Sequence, residues 1–288
     1  MMSDAALAPV RSPLNSHTLV QPGPKTPAVD LPELWRYREV LYALTWREIK
    51  IRYAQTSVGL GWVILQPVLT TVVLTLLVGR WMNVPTEGLP YSLFAFSGLA
   101  PWLYFTHVLT KSSTCMVNTG LLSKAYFPRL LLPLAVAIGG LIDLFVAGAV
   151  LAILMAYFRV GITIRIAALP GCLLLLVAVA LGIGIWLAVL NLYYRDVAHA
   201  LPFVTQIVFF MTPVAYSSAL VPAKWRALFI LNPMVGVLEC WRWALFGKAL
   251  DIAPWHLAVS LGAGAVILAA GLFYFAHKEP VLADVGDT

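Results

Sequence analysis

Few residues in this chain could do chemistry, and their spacing excludes most of it. A phosphate-binding loop needs GxxxxGK followed by Ser or Thr, so that backbone amides and a lysine cradle phosphates. The one Gly-Lys pair, Gly247-Lys248, carries Arg242 where the first glycine belongs. ATP has no seat of that kind. Hydrolytic or group-transfer chemistry needs paired carboxylates, a metal cluster, or a nucleophile beside a base. Glu39, Glu48, Asp196, Glu239 and Asp251 are scattered over separate segments, with no HxxxH or DxD spacing. Cys115, Cys172 and Cys240 form an odd set without CxxC spacing, which indicates neither a disulfide framework nor a zinc site. No catalytic residue, metal site or bound cofactor is expected on this chain.

Two features remain. Asp143 stands alone in a long apolar run, where an ionised group is costly and needs either a partner or a transport role. An arginine on a neighbouring span or a set of hydrogen bonds would answer the first need; His107, His199 and His256 read as interface residues. The second feature is the stretch SKAYFPRLLLP at 123–133, which sets Tyr126 and Phe127 between Lys124 and Arg129 with Pro128 among them. Asn118 or Thr119 can cap a short helix that Pro128 must end. About two turns are not stable in water alone, so the helix needs a surface. The lipid interface and a groove on another protein both fit.

The elements that position these residues are membrane helices. Of the 288 residues, 61% are hydrophobic and 11% charged, against about 25% charged in a soluble domain. Charge-poor runs of roughly 20 residues or more, the length a span needs, predict six spans at 61–79, 92–117, 130–157, 167–190, 200–214 and 254–276. An even number puts both termini on one side, and that side is cytoplasmic because most Lys and Arg flank it. Arg36, Arg38, Arg47, Lys50 and Arg52 lie just ahead of the first span, whereas Arg159 and Arg165 oppose the trend locally. The net charge of +6 is spread among apolar segments, which speaks against nucleic acid as a partner.

Four regions follow from this pattern. Residues 1–30, rich in proline and small polar residues, read as a disordered arm, with no apolar core of a secretory signal. Residues 31–56 form an amphipathic helix at the cytoplasmic interface, with Leu34, Tyr37, Leu41 and Leu44 on one stripe and Arg36, Arg47 and Lys50 on another. Residues 57–277 form the six-span unit, and 278–288 a cytoplasmic tail. Before the last span, Asn232-Pro233 splits an apolar stretch into helices of roughly 16 and 21 Å. Neither crosses a core of about 30 Å, so they read as a short re-entrant pair on the periplasmic side. Glu239 and Arg242, three residues apart, can pair there.

The motifs along this all-α polytopic chain resemble the permease subunit of a type 2 ABC exporter, in the branch that moves polysaccharides and polyol phosphates. TWREIKIRYAQTSVGLGWVILQP at 45–67 is similar to that family's leading helix and first span, and PYSLFAFSGLAPW at 90–102 to its second. SKAYFPRLLLP resembles the first cytoplasmic loop, NLYYRDVAHALPF at 191–203 the second, and LVPAKWRALFILNPMVGVLECWRWALFG at 220–247 the periplasmic helix pair. VLADVG near the end also fits, and the likeness covers about 35–286.

The resemblance implies a homodimer in the bacterial inner membrane, driven by two copies of a separate ABC ATPase that carries the ATP and magnesium. The implied cargo is a lipid-linked polysaccharide, first lipopolysaccharide O-antigen, with capsular polysaccharide or teichoic acid as alternatives and a drug or small molecule as a remoter one. Lys124, Tyr126, Phe127, Pro128 and Arg129 would then dock in a groove of the ATPase. Arg47, Lys50 and Arg52 would attract the lipid diphosphate headgroup, each cation contributing on the order of 1 kcal/mol near an anionic surface; anchoring without a ligand is the other role open to them. Trp62, Phe94, Phe96, Trp102 and Tyr104, from a chain with 10 Trp, 11 Tyr and 13 Phe, would line the translocation path.

Overall fold

The computed structural model describes residues 31–54, 61–82, 84–86, 88–117, 127–247 and 254–285. The N-terminal arm, Lys124, Tyr126 and the helix expected from 118 onward lie outside them.

In chain order, α1 (Leu31–Arg36) and α2 (Arg38–Tyr53) are separated by Tyr37 alone, and α3 (Gly61–Leu74) continues as a π-helix over Thr75–Trp81. Next come α4 (Tyr91–Thr114), α5 (Leu131–Tyr157), and α6 (Leu169–Tyr193) preceded by a 3-10 turn at Ile164–Ala168. The remainder is α7 (Asp196–Phe210), a 3-10 turn at Ser218–Leu220, α8 (Ala223–Ile230), α9 (Pro233–Phe246) and α10 (Pro254–Val285). Among the described residues there is no strand. The protein is a membrane protein: five helical stretches, Gly61–Trp81, Tyr91–Thr114, Leu131–Tyr157, Ile164–Tyr193 and Ala258–Lys278, are long and apolar enough to span.

The fifth expected span, 200–214, falls on α7, whose 15 residues extend about 22 Å, short of a hydrocarbon core of about 30 Å. The chain leaves α7 through turns at 211–214. Carbonyls freed where a helix stops must find donors when water is absent. Those of α7 find them locally, Ile207 O from Met211 N, Val208 O from Thr212 Oγ1, Phe209 O from Thr212 N and Phe210 O from the Tyr216 hydroxyl. In the turn beyond, Arg242 of α9 donates to Pro213 O and Val214 O, each at 2.7 Å, and the Tyr91 hydroxyl donates to Ala215 O at 2.8 Å. Asn232 secures the same turn, its Nδ2 donating to Thr212 Oγ1 at 2.9 Å while its Oδ1 accepts from Met234 N to cap α9.

The helix α4 is the axis of the bundle, with 78% of its most apolar window buried, against 11% for the stretch Gly61–Trp81. It packs against α3, α5, α6, α7 and α9, and its Trp102 ring lies 5.4 Å from Phe105 and 5.6 Å from Phe209. Small residues set the closest approach, because in lipid helices associate through tight packing rather than through apolar burial. A Cβ on Gly182 would stand 2.8 Å from the Leu268 Cα, and one on Gly271 would stand 2.8 Å from Gly182 O. The α6–α10 contact therefore seats Trp186 flat on Tyr274, ring centroids 4.7 Å apart.

The helix α2 runs along α5 in the same direction. Leu44 shares an apolar cluster with Leu131, Leu132 and Ala135, Glu48 and Ile49 lie beside Gly139, and Arg52 reaches Asp143. Asp143 is 12 residues beyond the start of α5, about 18 Å along its axis. The leading amphipathic helix thus leans against a span and delivers its last turn to the middle of that span.

Candidate functional site

That last turn opens onto a cleft of ≈430 Å³ bounded by α2, α3, α4 and α5. Its apolar walls include Trp62, Val63, Leu103, Leu144 and Ala147; its polar groups are Arg52, Tyr53, Gln66, Tyr104, Thr106, His107, Thr110, Lys111 and Asp143. So many polar side chains facing one space inside an apolar bundle make this cleft the candidate site, since each costs free energy unless it meets water, a partner or a ligand.

At the centre lies an ion pair. Arg52 Nη1 donates to Asp143 Oδ2, and Arg52 Nη2 contacts His107 Nε2. A guanidinium only donates, so His107 accepts at Nε2 and carries its proton on Nδ1. The Tyr53 hydroxyl donates to Asp143 Oδ1. Burial, reinforced by that hydrogen bond and by the carboxylate charge, pushes Tyr53 up to about 12, so the hydroxyl stays protonated and remains a donor at neutral pH. The pair is open to the cleft, with 19% of the Arg52 side chain and 24% of the Asp143 side chain exposed. Gly140 lets α5 come against the aromatic wall: a Cβ there would lie 3.1 Å from His107 Cδ2 and 3.2 Å from Tyr104 Cε2. Tyr104 is tied in place by its hydroxyl, which donates to Ala137 O at 3.1 Å.

The structure brings together four of the residues singled out from the sequence, Arg52, Trp62, Tyr104 and Asp143, and places the other described ones elsewhere. Arg47 and Lys50 are exposed on α2 away from the cleft, with Lys50 Nζ 5.9 Å from the Trp46 ring centroid. Phe94 and Phe96, each 1% exposed, and Trp102 at 4% are packed inside the single chain. Phe94 lies under the Arg242 guanidinium at 3.8 Å. In the loop before α5, Phe127 is buried in the cluster with Met116, Leu130 and Leu131. Pro128 and Arg129 form the turn that starts α5, their carbonyls accepting from Leu131 N at 3.0 Å and Leu132 N at 3.1 Å. Arg129 is half-buried.

Sequence reasoning missed His107, Lys111 and Gln66 as members of the cleft. His107 and Lys111 are four residues apart on α4, one turn, so they share a face; that spacing was the available signal. Asp143 meets the arginine it needs, on the leading helix rather than on a neighbouring span. Of the pair Glu239 and Arg242, Glu239 accepts from Ser218 Oγ at 2.5 Å and Arg242 serves the carbonyls that follow α7.

Comparison with known proteins agrees with this architecture. The family model for ABC-2 type transporters matches residues 39–246. The chain is 28% identical over 250 residues to the O-antigen export system permease protein RfbA of Myxococcus xanthus, covering 86% of this chain and 95% of that protein. The RfbA permease of Klebsiella pneumoniae is 26% identical over 239 residues, covering 82% and 91%. The polysialic acid transport protein KpsM of Escherichia coli is 23% identical over 207 residues, covering 70% and 80%.

Proposed function

The chain belongs to the ABC-2 type transporter membrane family, and from that premise we propose that it is the permease subunit of an ATP-driven exporter of a lipid-linked polysaccharide. The observation that carries this reading is the cleft at the end of α2. It joins an apolar wall, which suits a lipid tail, to Arg52 and Lys111, which suit a phosphate. The relatives supply the cargo class: two are named for O-antigen and one for polysialic acid. O-antigen is the first assignment and a capsular polysaccharide the second.

In this reading two copies of the chain form the path in the bacterial inner membrane, with both termini cytoplasmic. The exposed apolar face of α3 and its π-helical continuation, where Leu69, Val72, Val73 and Leu76 point outward, is available to lipid or to the second copy. Two separate ATPase subunits bind ATP and magnesium and deliver work through the loop at 123–133, with Lys124, Tyr126 and Arg129 as the contacts and Phe127 and Pro128 as the fixed base. Arg52 captures the headgroup, Arg47 and Lys50 concentrate anions near the surface, and Trp62, 52% exposed, offers a ring that stacks on sugars without fixing them, while Tyr104, 2% exposed, backs the wall of the cleft.

Deleting the gene and staining for surface glycan tests the reading. Loss of O-antigen or capsule, with undecorated lipid-linked polymer accumulating inside, is expected. Unchanged surface glycan together with altered tolerance of a hydrophobic drug would overturn it in favour of small-molecule export.

A further inference from the structure

An anion that reaches Arg52 finds a carboxylate there already. Arg52 commits one terminal nitrogen to Asp143 and the other to His107, and Tyr53 donates to the second oxygen of Asp143. Carboxylate and phosphate present a guanidinium with the same kind of two-point acceptor, and phosphate carries more charge and more oxygens. The ion pair is not sealed, since both side chains are partly exposed to the cleft. An anion in the cleft can therefore reach both groups, and the pair can exchange partners.

We propose that Asp143 is a resident competitor for the anionic headgroup: it holds Arg52 while the cleft is empty, and a lipid-borne phosphate or diphosphate binds by taking Arg52 from it. This rests on the reading that a lipid-linked anion enters the cleft. The carboxylate left behind stays on the Tyr53 hydroxyl, so neither Arg52 nor Asp143 is stranded. Two properties follow. Neutral lipids are rejected, because an uncharged headgroup cannot draw a guanidinium away from a carboxylate. Affinity for the right headgroup is held down, because Asp143 and the incoming phosphate are like charges in one small cleft, and a carrier lipid that must be passed onward is not trapped. Lys111, on the same wall, offsets part of that repulsion.

The test is equilibrium binding of radiolabelled farnesyl diphosphate to the full-length chain in phosphatidylcholine nanodiscs, with farnesol and inorganic diphosphate as competitors. Asp143→Asn is expected to tighten binding about tenfold, Arg52→Gln to weaken it at least tenfold, and the double variant to show none of the gain. Tyr53→Phe leaves the carboxylate more dependent on Arg52 and is expected to weaken binding about threefold, opposite in sign to Asp143→Asn. If Asp143→Asn does not yield folded protein, the sign of the Tyr53→Phe effect decides. Farnesol is expected not to compete, and inorganic diphosphate to compete only at much higher concentration.

Arg52→Gln weakening while Asp143→Asn fails to tighten overturns the competitor role and leaves headgroup capture by Arg52 standing. Unchanged binding in Arg52→Gln overturns both. Competition by inorganic diphosphate at the same concentration as the prenyl compound overturns the lipid source in favour of a soluble phosphate.

Discussion

Replacing Arg242 with methionine keeps the length and apolar character of the side chain while deleting the guanidinium, and this variant bears most directly on how the bundle holds a helix that stops short. Arg242 is 8% exposed. It donates to Pro213 O and Val214 O at 2.7 Å each and covers the Phe94 ring at 3.8 Å. Hydrogen bonds to a charged group are each worth about 1.5–3 kcal/mol. Each of the two neutral carbonyls left buried without a donor costs about 1–3 kcal/mol. At about 2–4 °C per kcal/mol for a chain of this size, the unfolding midpoint in detergent, followed by intrinsic tryptophan fluorescence, falls by roughly 10 °C or more. Lysine at 242 reaches one carbonyl rather than two and falls between methionine and the parent. Gly98 supplies an independent check, since a Cβ there would stand 2.6 Å from both Arg242 Nη2 and Val214 O. Gly98→Ala destabilises by itself and less than additively with Arg242→Met. A methionine variant within about 2 °C of the parent would refute the idea that Arg242 satisfies the carbonyls following α7.

Other perturbations separate packing from coupling. Phe127→Ala opens a void in the cluster at the start of α5 and lowers stability by about 3 kcal/mol, whereas Tyr126→Ala lowers ATPase co-purification and leaves the unfolding midpoint unchanged; equal effects of both on the midpoint would refute the division. Gly271→Ala forces apart α6 and α10, where the added Cβ would meet Gly182 O at 2.8 Å, and a drop in midpoint of several degrees is expected; no drop would mean the two helices are not that close. Cys172 and Cys240 have sulfurs 2.7 Å apart, so copper–phenanthroline oxidation of the Cys115→Ser protein gives an intramolecular disulfide detectable in peptide maps under non-reducing conditions. Absence of that peptide would refute the packing of α6 on α9.

The spans were legible because their cause is local: a run of apolar residues declares itself whatever surrounds it, and α3 to α6 and α10 fall where hydropathy puts them. The break between α8 and α9 was legible for the same reason, in the dipeptide Asn232-Pro233, whose side-chain cap and missing amide act within one turn. The end of α7 was legible in Pro213, three residues past Phe210, which cannot continue a helix. The anchoring of the turn beyond it was not: its donor on α9 is supplied by Arg242 about thirty residues later, and the match to Pro213 and Val214 exists only after folding. The cleft was half legible for a similar reason. Arg52 and Trp62 belong to neighbouring stretches of sequence, whereas His107 and Asp143 join them across 55 and 91 residues.

Arg242, buried, and Arg52, half-buried, show why the same side chain serves opposite ends here. Arg242 is bonded to neutral backbone carbonyls that cannot move without unravelling the turn after α7, and its charge is covered by Phe94. No ligand can take its place without breaking the fold, so its worth is structural. Arg52 is bonded to an ionised carboxylate on a different helix, at the rim of an open cleft, with a tyrosine hydroxyl already holding the carboxylate's other oxygen. Its partner is chemically replaceable by a phosphate, and the Tyr53 hydroxyl stays on the carboxylate when it is replaced. Charge alone does not distinguish these two residues in the sequence. On the proposed reading, the main-chain carbonyls that Arg242 holds suit it to stability, and the exchangeable carboxylate that Arg52 holds suits it to binding.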